Sequence, residues 1–176
     1  MAALLFALTG VAGSLYLSLG LGLRACPLCF YQRSFMMGTL AVLVVGLAAD
    51  PTRTGLYCLL SLPLALAGWG VAAFHEYLVL TGVLECPIGL LGIGTSPAQS
   101  LVVFTLVTAA LLAGAWPIRS DGKRRAVVSF GSIIVGVLMA WGSIASSPPM
   151  PPAPTAPYDL DRQPLDMCRP PYRGQQ

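Results

Sequence analysis

Five long apolar runs, nearly free of charge, constrain this chain more than any other feature. They are Ala2–Leu23, Phe30–Ala49, Leu56–Phe74, Ala98–Trp116 and Ala126–Ala145, and Arg33 is the one charged residue inside them. Each is close to the roughly 20 residues a helix needs to cross the hydrocarbon of a bilayer. None alternates polar with apolar residues, so helices are expected and not barrel strands. Charged residues make up 10% of the chain, against about 25% in soluble domains, too few to cover a water-facing surface. The expected fold is therefore an all-α integral membrane protein, a bundle of five spans within residues 1–145. Pro63 is expected to kink the third span without ending it. The first run has no basic flank and no small-residue cleavage site, and reads as a retained helix.

Basic residues set the expected orientation. With five spans, the turns at Asp50–Gly55 and Pro117–Arg125 share one side and carry Arg53, Arg119, Lys123, Arg124 and Arg125. The opposite side has Arg24 close to the membrane, while Arg162, Arg169 and Arg173 lie far past the last span. The positive-inside rule then puts the amino terminus in the cytoplasm and the carboxy-terminal tail outside. This assignment uses no cysteine, yet it sends Cys26, Cys29, Cys86 and Cys168 to the same outer compartment, where disulfides persist. Cys58 falls near the cytoplasmic end of the third span and reads as a small buried apolar residue.

The tail, residues 146–176, is a different material. Nine of the 24 residues from Pro148 to Pro171 are proline, which favours extended polyproline geometry over a packed core. It carries Cys168 beside Arg169, a cation that favours thiolate.

Cys26-Pro27-Leu28-Cys29 opens the second span. Unpaired N–H groups and the dipole at a helix N-terminus favour an anion, and thiolate is the species that attacks or leaves in disulfide exchange. Arg33 follows Cys29 by one helical turn on the same face. A guanidinium inside a span is costly and marks a functional position. A C-x-x-C also suits metal, and Cys26, Cys29, Cys86 and His75 make up a Cys₃His zinc set on paper. The two readings stay open on spacing alone. No P-loop, G-x-G-x-x-G or carboxylate pair is present, and a net charge of +3 spread over loops and tail does not imply nucleic acid.

The segment Cys26-Pro-Leu-Cys-Phe-Tyr-Gln-Arg33 resembles the DsbB family, the quinone-linked membrane oxidases of bacterial disulfide formation. The resemblance covers about residues 1–116. It implies a bacterial inner-membrane enzyme that reoxidises a DsbA-like thioredoxin-fold partner and passes electrons to a quinone, ubiquinone or menaquinone. It makes Cys26–Cys29 the quinone-proximal disulfide pair and Arg33 a quinone-binding residue, with His75 a looser match to a quinone-lining histidine. The family has four spans and both cysteines of its second pair in the second outer loop. Here that loop has only Cys86, and a fifth span delivers Cys168 to the same side. Cys168 is therefore expected to replace the missing loop cysteine and pair with Cys86, and its tether points to it as the sulfur the partner attacks first. Two rivals compete. A vitamin K epoxide reductase-like protein also couples membrane cysteines to quinone, but its C-x-x-C comes late in the chain. A membrane scaffold stabilised by zinc would use the set above without redox chemistry.

Overall fold

The computed structural model describes residues 1–116, 122–156 and 165–172. Arg119, Arg162 and Arg173 lie outside the described residues, as do the side chains of Lys123, Arg124 and Arg125. Five helices follow in order: α1 Ala2–Leu19, α2 Pro27–Ala49, α3 Thr54–Leu80, α4 Ser96–Ala115 and α5 Gly122–Ala145. No strand occurs among the described residues, and the first four helices are long and apolar enough to cross a membrane. The chain is a multi-pass, all-α membrane bundle. The fifth expected span falls on α5, whose apolar stretch among the described residues is Phe130–Ala145.

α3 is the central helix, packed against α2, α4 and α5, while α1 closes the other side against α2 and α4. Its buried positions are mostly small: Ser61, Ala65, Gly68 and Ala72 share one side. Lipid offers helices no hydrophobic drive to associate, so close backbone approach over small residues does the work. At Gly68 the approach is tightest, because a Cβ there would fall 2.1 Å from the Phe104 ring of α4. α3 continues through Pro63, whose missing N–H removes one helical bond without ending the helix. It also runs past the expected end at Phe74 to Leu80, so His75 and Glu76 lie within it.

The helix ends that hold the site are locally coded. α1 stops at Gly20, and Gly22 turns the chain with φ of 70°, a conformation suited to glycine. α2 starts at Pro27, in the N1 position where a missing N–H costs nothing. Thr95 caps α4 by accepting from Ala98 N at 3.3 Å, and its hydroxyl donates to Glu76 Oε2 at 3.2 Å, joining the end of α3 to the start of α4.

Between α3 and α4, Gln99 clamps the 89–93 turn. Its Oε1 accepts from Leu90 N at 2.8 Å, and its Nε2 donates to Leu90 O at 2.8 Å and Ile93 O at 2.7 Å. Gln99→Ala should remove three bonds worth about 1 kcal/mol each. Faster hydrogen exchange should then be confined to residues 89–94, and unchanged exchange there would show the turn holds without the clamp.

Candidate functional site

Cys26 is the N-cap residue of α2, extended in backbone, with its sulfur accepting from Cys29 N at 3.3 Å. The cap thus performs the usual duty of a serine while holding a thiol over the helix N-terminus. Cys29, one turn on, brings its sulfur to 2.9 Å from that of Cys26. Both are unbonded thiols in the structure. Hydrogen bonding with Cys29 acts first, burial opposes it, and His75 adds to it, bringing the Cys26 thiol down from 9.0 to about 5.

In the reduced protein, Cys26 is then thiolate at neutral pH. Its ultraviolet thiolate absorption should persist on acidification and vanish near pH 5, and it should be missing in Cys26→Ser. Since the folded value lies below the ordinary 9.0, this ionisation stabilises the reduced fold fully above pH 9 and is lost as pH falls through 5. A midpoint close to 9 would contradict this account.

The second pair lies directly above. Cys86 and Cys168 are joined as a disulfide across a sequence separation of 82. Backbone pairing seats the tail there: Glu85 N donates to Arg169 O at 2.8 Å, Arg169 N to Glu85 O at 3.0 Å, and Arg24 N to Asp166 O at 2.7 Å. The Arg24 and Asp166 side chains pair as well, at 3.6 Å. Met150 of the tail packs on the same cluster. Cys26 and Cys168 are buried as a result, at 0% and 2% exposure. Cys58 is a free, buried thiol about 25 Å from His75 toward the start of α3.

His75 is fully buried and faces sulfur. Its Nε2 lies 3.8 Å from Cys26 Sγ and 3.5 Å from Cys86 Sγ, and its Nδ1 is 3.1 Å from the Gln32 amide nitrogen. The donor atoms of Cys26, Cys29, His75 and Cys168 all lie within 4.8 Å of one another. The tetrad drawn from sequence had Cys86 where the structure has Cys168.

On the other side of Cys29 is a cavity of about 180 Å³ between α1, α2 and α4. Cys29, Arg33 and Cys168 line it, with apolar walls from Leu17, Met36 and Phe104. His75 is not among its lining residues. Arg33 is held from α1: its Nε donates to Ser14 Oγ at 2.9 Å, and its Nη2 donates to Ser14 O at 3.0 Å and to Ser18 Oγ. Neutral oxygens thus support the guanidinium inside the span, and no carboxylate pairs with it among the described residues.

The profile described as "Disulfide bond formation protein DsbB" matches residues 1–96, more than half of the 176. The chain belongs to the DsbB family. A similar protein is the "Probable disulfide formation protein" of Chlamydia trachomatis, 29% identical over 118 aligned residues, covering 61% of this chain and 85% of the relative. No solved structure matches the chain. DsbB membership makes it a membrane protein of disulfide-bond formation. The matched region takes in Cys26, Cys29, Arg33, His75 and Cys86, while Cys168 lies beyond it.

Sequence reasoning missed Gln32, Ser14 and Ser18. Gln32 stands one turn from Cys29, and a buried amide within a span was a usable signal. Ser14 and Ser18 are four apart on α1, a one-turn spacing that presents two hydroxyls on one face.

Proposed function

We propose that this DsbB-family chain is a quinone-dependent thiol oxidase that reoxidises a thioredoxin-fold partner outside the cytoplasm of a bacterial cell. The observation that carries the reading is that Cys29 and Arg33 open onto one cavity while the Cys168 sulfur stands within 4.8 Å of those of Cys26 and Cys29. The cavity is small beside the roughly 300–1,000 Å³ of common ligand sites, which suits a ring-sized headgroup with its tail left in lipid. Its residues fit that group: apolar walls for a ring, and one fixed cation for an oxygen that gains negative charge. Quinone, when bound, supplies a two-electron, two-proton acceptor.

The chain's own residues supply the rest. The partner's thiolate attacks the Cys86–Cys168 disulfide and forms a mixed disulfide with one sulfur. The tether favours Cys168 for that contact, but Cys168 is 2% exposed against 9% for Cys86 and stands within 4.8 Å of Cys26, so Cys168 exchanges with Cys26 and Cys86 is the sulfur the partner meets. Cys168 takes over the bond to Cys26, freeing Cys29 as a thiolate at the cavity, one turn from Arg33. α5 crosses the membrane as a fifth span and keeps the tail on the side of the cysteine loops, with the amino terminus in the cytoplasm.

The test is quinone reduction by purified protein, driven in turn by a reduced thioredoxin-fold donor and by a small dithiol. Cys168→Ala should spare turnover with the dithiol and lower turnover with the protein donor by at least about a hundredfold. Normal turnover with the protein donor would reduce the tail to a spacer and sink the relay.

A further inference from the structure

We propose that opening the Cys86–Cys168 bond turns Cys26, Cys29, Cys168 and His75 into a binding site for one thiophilic divalent cation, zinc above all. Three thiolates and an imidazole are a complete donor set for tetrahedral zinc. With Zn–S near 2.3 Å and Zn–N near 2.0–2.1 Å, the donors of such a site are about 3.5–3.8 Å apart. Here all four donor atoms lie within 4.8 Å of one another, and His75 Nε2 is 3.8 Å from Cys26 Sγ. The Cys26–Cys29 spacing of 2.9 Å has to widen by no more than about 1 Å, and a pair at the 4.8 Å limit has to close by about 1 Å.

Three observations single out this cluster. The donors come from separate elements, the start of α2, the body of α3 and the tail, so their convergence is not a local accident of the C-x-x-C. His75 presents Nε2 to the sulfurs while Gln32 lies at Nδ1. With the amide carbonyl turned to accept Nδ1–H, the Nε2 lone pair faces the metal position, the usual outer support of a ligating histidine. The tail, finally, does not depend on the disulfide alone. The backbone bonds between residues 85 and 169 and between 24 and 166 hold Cys168 over the cluster after its bond to Cys86 opens.

Disulfide-linked Cys168 has no thiolate to offer, so the site exists only in the reduced chain. Opening takes two electrons and two protons from a dithiol, which leaves as its own disulfide. Metal uptake then displaces whatever thiol protons remain on Cys26, Cys29 and Cys168, so that three thiolates bind, and Cys86 remains a thiol. The bound unit carries one net negative charge and sits one turn above Arg33. Occupation would hold three of the four exchanging sulfurs and arrest the chain in its reduced form.

Cobalt(II) is the probe. Full-length chain in detergent, reduced anaerobically with a phosphine, should bind one cobalt with thiolate-to-cobalt charge transfer and tetrahedral ligand-field bands, and zinc should displace it. The chain with Cys86–Cys168 intact should give no such spectrum. Cys168→Ser should lose it, Gln32→Leu should weaken binding by about ten- to a hundredfold, and Cys58→Ser should leave it unchanged. Absence of tetrahedral bands in the reduced wild type, or equal binding by Cys168→Ser, overturns the site. Quinone reduction by metal-free protein is measured separately, so failure here leaves the enzyme reading standing.

Discussion

Serine in place of Cys29 should bring quinone reduction to background, a loss of at least about a thousandfold, while the helices stay intact. Cys29 is the thiol of the first pair that lines the cavity beside Arg33. A hydroxyl of nearly the same size fills its place but neither forms a disulfide nor leaves as a stabilised anion. The same variant should also stall the chain in an identifiable state. Cys26 keeps its place within 4.8 Å of Cys168 and has no Cys29 to return to, so oxidised protein should collect a Cys26–Cys168 bond. Peptide mapping without reductant reads that bond directly. Residual quinone reduction within tenfold of wild type would mean that Cys29 is not the sulfur at the acceptor, and the relay order would fall with it.

The largest structural effect is expected at Gly68, far from any sulfur. A methyl there would meet Phe104 carbons at 2.1 and 2.2 Å, and Phe104 is 1% exposed with nowhere to swing. Gly68→Ala should destabilise the bundle by about 1–3 kcal/mol, and Gly68→Val by more, through overpacking between α3 and α4. Unfolding in mixed detergent micelles measures this. The cause is checked by shortening the facing side chain: Phe104→Leu in the Gly68→Ala background should recover part of the loss, a coupling two independent sites would not show. Additive effects would place the strain elsewhere. Because the α3–α4 seam also forms one wall of the cavity through Phe104, the Gly68 variants should weaken quinone turnover as well.

Four of the spans were legible because lipid imposes a simple rule, a run of apolar residues of fixed length. Their ends were less so. Sequence closes the third span at Phe74, since a histidine and a glutamate look like an interface. α3 instead runs through both, with His75 buried toward sulfur and Glu76 half-buried at the cap of α4. A polar side chain with a buried partner does not end a helix, and partners from distant parts of the chain are invisible to periodicity. The C-x-x-C and its arginine could be read locally, since their chemistry lies within eight consecutive residues. The serine cradle of Arg33 and the contact of Gln32 with His75 could not, since each joins two helices. The tail was legible as proline-rich, but its seating depends on backbone pairing with Glu85, which leaves no mark in composition.

The 82-residue separation between Cys86 and Cys168 bears on how the molecule is made. Two helices, α4 and α5, are synthesised after Cys86 and before its disulfide partner. During that interval Cys86 lacks the partner it has in the structure, and a chain that stops earlier carries an incomplete outer couple. The Cys86–Cys168 bond is therefore the last link of the sulfur cluster that can form, after α5 has been made.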